Sequence, residues 1–303
     1  VSPFEAPSRL GWPGFLYDPE AFLYPLMGDF TGDGIPDLAQ VTQYGDVWVA
    51  PFNGGNTIGS ATRWGWLGFR YDERGGEKGY LPLAGDVNND GKVDLIQITP
   101  YGSVWVALSQ GASFSSSTNW GSPGFFFNRL SSNNPGELPL AGDFNGDGRT
   151  DLALVTRYGD VWVSLSSGTS FQSPSRWGWL GFRYAPYDRF YPLAGDFNGD
   201  GKCDILQSTP YGDAWVATST GSSLQSPTRW GWLGFIYDEA LNYCPITGDV
   251  NADGKMDLIQ ITPNGDPWVS VCTGSALQGP TRWGWLGFRH SRSQKTTTFF
   301  LGY

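Results

Sequence analysis

Three observations predict an all-β fold built from small antiparallel sheets set in a ring. An acidic segment with the grammar Asp-x-(Asn/Thr)-x-Asp-Gly-x-x-Asp begins at Asp29, Asp86, Asp143, Asp196 and Asp249, a period of 53 to 57 residues. Each period holds several short β-rich runs divided by Gly, Pro and Asp turns, and no long stretch keeps helical periodicity. The 303 residues include 43 glycines and are 16% aromatic, a turn-rich and ring-rich composition. Repeats of this length with about four strands each indicate a β-propeller, whose sheets pack face to face and hide their edges by radial closure.

One period illustrates the elements in order. Tyr191 to Gly195 is a short apolar strand that enters the acidic loop at Asp196. Asp204 to Ser208 is the second strand, and Thr209-Pro210-Tyr211-Gly212-Asp213 puts Pro and Gly at turn positions. Ala214 to Ala217, with Trp215 and Val216, is a third strand of β-formers. A Gly/Ser-rich link over 220–226 leads to the fourth segment, Arg229-Trp230-Gly231-Trp232-Leu233-Gly234-Phe235. The whole of 1–303 reads as one propeller domain, with repeat units at about 24–80, 81–137, 138–190, 191–243 and 244–298.

The ends complicate the blade count. A sixth copy of the fourth segment, Arg9 to Phe15, precedes the first loop, and Thr298 to Tyr303 looks like the start of another first strand. Five blades with overlapping ends are expected. A sixth blade drawn from both termini would lack its two middle strands, and the surplus strands have the alternative of pairing with a neighbouring molecule.

The acidic loops place oxygen side chains at every second position around a tight Gly turn, the donor pattern of a calcium site. The expected ligands are Asp29, Thr31, Asp33 and Asp37; Asp86, Asn88, Asp90 and Asp94; Asp143, Asn145, Asp147 and Asp151; Asp196, Asn198, Asp200 and Asp204; and Asp249, Asn251, Asp253 and Asp257. The carbonyl of the seventh residue, Lys92 in the second loop, adds to each set. These are not EF-hands: the twelfth position, where an EF-hand needs Glu, holds Gln40, Gln97, Leu154, Gln207 and Gln260, and strand follows rather than helix. Up to five calcium ions are expected, one per loop. The loops, with three Asp each, hold 15 of the 29 acidic residues, leaving 14 acids against 19 Lys and Arg elsewhere. Five divalent ions would cancel the net charge of −10. That charge disfavours nucleic acid as a partner, and no apolar run reaches the roughly 20 residues of a membrane span.

Gly-Asp-Phe-Asn-Gly-Asp-Gly-Arg-Thr-Asp-Leu at 142–152 and its four counterparts resemble the FG-GAP/VCBS repeat family, which includes integrin α-subunit propellers and calcium-binding mushroom propeller lectins. The resemblance implies a propeller with calcium between the first two strands of each blade, fixing the loop rather than reacting. Thr31 replaces the usual Asn in the first copy.

Arg-Trp-Gly-Trp-Leu-Gly-Phe occurs verbatim at 63–69, 176–182, 229–235 and 282–288. In an extended strand its two tryptophans share a face and its arginine lies opposite. Paired rings beside a donor suit a sugar, which stacks a C–H face and needs hydrogen bonds for its hydroxyls. The expected ligand residues are Arg63, Trp64, Trp66, Arg176, Trp177, Trp179, Arg229, Trp230, Trp232, Arg282, Trp283 and Trp285. Core packing is the expected role of the third-strand Trp48, Trp105, Trp162, Trp215 and Trp268. Leu10 and Ser122 replace a tryptophan in two copies. Tyr17-Asp18, Tyr71-Asp72-Glu73 and Tyr237-Asp238-Glu239 are candidate polar neighbours or loop caps.

No catalytic constellation emerges. His290 is the single histidine, nothing resembles a nucleophile elbow or phosphate loop, and Glu73, Glu77, Glu137 and Glu239 are the candidates in the variable connectors for glycosidase-type chemistry. The preferred reading is a non-enzymatic, calcium-stabilised, multivalent carbohydrate-binding protein, partnered by glycans or glycoproteins and secreted or held at the cell surface. The alternatives are a structural propeller that self-assembles through its terminal strands, and a polysaccharide lyase or glycosidase. Cys203, Cys244 and Cys272 form no pairing framework, although Cys244 and Cys272 share a repeat.

Overall fold

The computed structural model describes residues 10, 13–15, 23–54, 57–68, 81–99, 101–124, 138–181, 191–209, 211–234, 244–262, 264–284 and 300–301. It is all-β, with five blades, each a four-stranded antiparallel meander. The first blade contains β1 (Leu23–Gly28), β2 (Asp37–Thr42), β3 (Asp46–Ala50) and β4 (Thr62–Trp66). The second contains β5 (Leu81–Gly85), β6 (Asp94–Ile98), β7 (Val104–Ala107) and β8 (Thr118–Gly121). The third contains β9 (Leu138–Gly142), β10 (Asp151–Val155), β11 (Asp160–Ser164) and β12 (Ser175–Trp179). The fourth contains β13 (Tyr191–Gly195), β14 (Asp204–Ser208), β15 (Asp213–Ala217) and β16 (Thr228–Trp232). The fifth contains β17 (Cys244–Gly248), β18 (Asp257–Ile261), β19 (Pro267–Ser270) and the short β20 (Thr281–Arg282). The first strands of successive blades adjoin one another, so they form the inner wall.

Described residues near both ends pair within this chain. A last strand, β21 (Phe300–Leu301), pairs in parallel with β1 at Leu26 and Met27, and it also adjoins β17. On the outer side, Ile58 N–H donates to Leu10 C=O (3.2 Å) and Ala61 N–H to Pro13 C=O (2.6 Å). The first of these copies the bond by which Phe114 N–H donates to Trp64 C=O (3.0 Å) across the next seam. The early fourth segment therefore docks on the first blade as β4 docks on the second. Of the four strands a sixth blade would need, the first is present as β21 and the fourth segment is represented by the backbone at Leu10 and Pro13, both set against the ring of five.

The cores lie between blades, not within them. Leu26, Phe30, Val41, Val49 and Trp64 pack with Leu95, Ala107 and Phe114 of the following blade, and the same sharing recurs at the next three seams. Phe30, Phe144 and Phe197, the second residues of their loops, are fully buried there. Rings meet edge to face or tilted, as in Phe30 against Phe114 with centroids 5.9 Å apart, a favoured geometry for aromatic quadrupoles. Close blade approach rests on the glycine that ends each first strand. A Cβ on Gly195 would stand 2.8 Å from Met256 Cγ, and one on Gly28 would stand 2.7 Å from Val93 Cγ1. Cys203, which is a buried free thiol, fills the corresponding place against Gly142. Cys272 is also a buried free thiol, while the side chain of Cys244 is outside the described residues.

Overpacking of a filled core costs about 1–3 kcal/mol. Gly195→Ala is expected to destabilise the fold by about that amount, read from the midpoint of a urea unfolding curve.

Candidate functional site

The acidic loops sit in the seams. The loop's opening residue accepts a backbone bond from the next blade: Val93 N–H donates to Asp29 C=O (2.8 Å), Thr150 to Asp86 (2.6 Å), Cys203 to Asp143 (2.7 Å) and Met256 to Asp196 (2.8 Å). Its carboxylate is gathered by the N–H groups of its own turn. Asp143 Oδ1 accepts from Gly146 (2.7 Å) and Asp147 (3.1 Å), and its Oδ2 accepts from Gly148 (2.7 Å). Asn145 Nδ2–H donates to Asp147 Oδ2 (2.9 Å), so the first, third and fifth positions of the loop face one another.

The ninth position behaves differently. Asp37, Asp94, Asp151, Asp204 and Asp257 are fully buried. In the third blade Asp151 Oδ2 accepts from Phe144 N–H (3.2 Å) and Oδ1 from Ser166 N–H (2.7 Å). The Ser166 hydroxyl then donates to Val87 C=O of the preceding blade (2.6 Å). Ser109 reaches Phe30 C=O (2.6 Å) and Ser219 reaches Phe144 C=O (2.7 Å) in the same way, and the Cys272 thiol stands in at Phe197 C=O (3.0 Å). Burial, reinforced by the other two loop carboxylates, pushes Asp94, Asp151 and Asp204 up to about 7, against the lowering effect of their backbone donors. Asp37 and Asp257 are raised for the same leading reason.

As the side chains stand, no three His, Cys, Asp or Glu side chains converge on one point among the described residues. The donor set nevertheless fits calcium. It is all oxygen, it carries three carboxylates, and its inner carboxylate is one that burial makes costly to charge, a cost that a divalent ion reverses. A cation already flanks the loop's fifth position: Lys92 Nζ lies 3.5 Å from Asp90, Lys202 Nζ 3.2 Å from Asp200 and Lys255 Nζ 3.5 Å from Asp253, and Arg149 pairs with Asp147.

The double-tryptophan segment departs from expectation. A β-bulge interrupts β3–β4 pairing: Val47 opposes Gly65 and Trp48 opposes Arg63, leaving Trp64 as the extra residue. The same shift recurs in blades two to four. An inserted residue inverts the alternation beyond it, so the two tryptophans part company. Trp64, Trp177, Trp230 and Trp283 turn into the seam at 5–9% exposure and donate their indole N–H to a Thr or Ser two residues earlier. They are core residues, not ligand contacts. Trp66, Trp179 and Trp232 point outward at 50–56% exposure. Each donates its indole N–H to a turn carbonyl, that of Tyr44, Tyr158 or Tyr211 (2.8–3.0 Å), which fixes the ring and leaves its face open.

The bulge also brings arginine onto the outward face, contrary to the simple alternation. Arg63 Nε–H donates to Asp46 (2.7 Å), Arg176 to Asp160 (2.8 Å), Arg229 to Asp213 (2.6 Å) and Arg282 to Asp266 (2.9 Å). Cross-strand register sets the third-strand tryptophan beside them, as Gln207, Trp215 and Arg229 form one row. Trp48 and Trp162 are 37% and 38% exposed, so the third-strand rings belong to this outer face rather than to the core. Trp105, Trp215 and Trp268 are half-buried in the same register. Next to them, the amides of Gln97 and Gln207 are buried with no hydrogen-bond partner among the described residues.

The second blade lacks the arginine, the aspartate and the exposed tryptophan of this group but keeps its third-strand ring, Trp105. Asn119, Ser103 and Ser122 stand where the others have Arg, Asp and Trp, and the two serine hydroxyls bond each other at 3.0 Å. Trp120, the buried partner, is kept. The aspartates Asp46, Asp160, Asp213 and Asp266 escaped the sequence reading. Their signal was the Gly-Asp ending of each turn, present only in the four repeats that also carry the arginine. Trp285, His290, Glu73, Glu77, Glu137, Glu239 and the Tyr-Asp pairs at 17, 71 and 237 lie outside the described residues.

A five-bladed repeat propeller with an acidic loop in each blade is the class these features define. The FG-GAP-like repeat profile matches residues 29–96, 86–153, 143–206 and 196–260, well over half of the sequence. The chain belongs to the FG-GAP-like repeat family. Among solved structures it is similar to an Agrocybe aegerita lectin that recognises non-reducing terminal N-acetylglucosamine, at 18% identity and a TM-score of 0.66 over 91% of this chain and 69% of that one. It is also similar to a Photorhabdus luminescens Tc holotoxin pore structure, at 16% identity and a TM-score of 0.55 over 90% of this chain and 13% of that one. At these identities the likeness is one of fold. No curated protein sequence matches. No described helix is long and apolar enough to cross a membrane.

Orphaning a buried N–H costs about 1–3 kcal/mol. Asp151→Ala, which orphans two, is expected to destabilise by about 2–5 kcal/mol, whereas the exposed pair lost in Arg229→Ala is worth less than about 1 kcal/mol. Chemical denaturation of both variants checks the contrast.

Proposed function

We propose that this protein is a multivalent carbohydrate-binding propeller whose acidic loops are stabilised by calcium. The observation that carries the reading is the joint loss in blade two: Arg, Asp and the exposed Trp go together while the buried Trp stays. Packing needs explain the buried ring. They do not explain why three outward residues are kept or dropped as a unit, which is the behaviour of a shared contact surface. An open indole face stacks on the C–H face of a pyranose, and the adjoining Arg–Asp pair offers both a donor fork and an acceptor to hydroxyls. The amide of Gln207 lies beside the same row in blade four. Blades one, three and four present the full group, and blade five its Arg282–Asp266 pair. Several weak equivalent sites on one rigid ring bind multivalent glycans through avidity.

Residues at positions one, three, five and nine of each loop, with the seventh carbonyl, would hold the ion. Bound calcium would supply the counter-charge that Asp94 and its equivalents need in the seam. Loops of this kind fill in millimolar extracellular calcium, which favours a secreted or cell-surface setting.

The test is a glycan array that includes N-acetylglucosamine-terminated chains, run with calcium and with EDTA. Trp232→Ala is expected to weaken binding with its melting temperature unchanged. Trp230→Ala is expected to cost about 3–5 kcal/mol of stability instead. Absence of glycan binding by the folded protein would overturn the carbohydrate reading. A melting temperature that EDTA leaves unmoved would overturn the calcium reading.

A further inference from the structure

Four of the five loops carry a basic residue two positions after the fifth-position aspartate. Lys92, Arg149, Lys202 and Lys255 take this place, and Ile35 takes it in the first loop. Turn geometry does not need the charge. Ile35 N–H donates to Asp33 Oδ1 at 2.9 Å, as Lys92 N–H does to Asp90 at 2.9 Å and Lys202 N–H to Asp200 at 2.9 Å. Packing does not need it either. The lysine stem runs along the seam over the preceding blade's loop glycine, where a Cβ on Gly32 would meet Lys92 Cγ at 2.9 Å and one on Gly146 would meet Lys202 Cγ at 3.0 Å. Methylenes alone satisfy that contact.

The charged head is aimed at the loop's own ligand: Lys202 Nζ lies 3.2 Å from Asp200 Oδ2, with the lysine side chain only 27% exposed. We infer that Lys92, Arg149, Lys202 and Lys255 are built-in counter-ions that compete with a divalent cation for the fifth-position aspartate and so set a deliberately modest calcium affinity at loops two to five. The inference rests on the calcium reading above. When the ion enters, the ammonium is repelled and must swing toward solvent; when the ion leaves, it returns and holds the acidic loop neutral enough to keep the seam closed. The first loop has no such competitor of its own.

The test is calcium chloride titration, followed by calorimetry, of the full chain and of a variant carrying Lys92→Met, Lys202→Met and Lys255→Met, in which the methylene stems are kept. Removing a like charge a few ångströms from a divalent site is expected to tighten three sites by about tenfold at low salt. The ion-free variant is expected to melt lower than the wild type, and the calcium-loaded variant is not. The reciprocal Ile35→Lys, on a partly exposed position, is expected to weaken one site by a similar factor and keeps the test open if the triple variant fails to fold. Calcium affinity that is unchanged or weaker in the lysine-free variant, with binding intact in the wild type, overturns the counter-ion role. Absence of calcium binding in the wild type overturns the calcium reading and this inference with it.

Discussion

One buried carboxylate per blade is the constraint on which the rest of the molecule hangs. Asp151 and its four equivalents end the acidic loop, begin the second strand, and accept backbone N–H groups from the loop and from the exit of the third strand. That exit residue is itself tied across the seam: the Ser166 hydroxyl grips the preceding blade. A single side chain thereby fixes the turn, the sheet and the blade-to-blade angle. An anion in such a place is tolerable only because its oxygens are filled by donors. The loop's outer carboxylates make its charge still more costly, and this is the electrostatic reason for cations, whether lysine or metal, to gather at these seams.

With cores shared between neighbours, the stability of each blade depends on the one beside it, as in other repeat proteins. The seam glycines and the loop phenylalanines are matched parts: Gly195 makes room for Met256, and Phe197 fills the space beneath. Variation at a seam is therefore confined to exchanges that conserve the bond or the volume. Cys272 in place of serine still donates to the carbonyl before it.

Much of this was legible in the sequence because it is local. Periodic acidic loops, alternating strands and Gly-Asp turns declare themselves within a few residues, and the blade architecture follows from their spacing. The outward face was not legible in the same way. Alternation places Trp64 and Trp66 together, but the bulge at Trp64 adds a residue that only the partner strand reveals. The third-strand tryptophans were read as core from ring area. Blades that diverge from the axis leave one face of their outer strands in solvent, so Trp48 and Trp162 stay wet. Asp213 was overlooked because its meaning lies in Arg229, sixteen residues on and one strand across.

The pairing of β21 with β1 has a consequence for how the molecule is made. Met27 meets Leu301 across all five blades, so this contact cannot form on a ribosome until every blade has been made. Blades can assemble in turn behind the exit tunnel, each templating the next through its seam. The innermost edge of the first blade nevertheless waits bare for its parallel partner throughout that time. Contacts of such long range fold slowly and leave strand edges open to wrong partners. Closing the ring is thus slower than adding a blade, and the interval before it is when the exposed edge of the first blade most needs shielding.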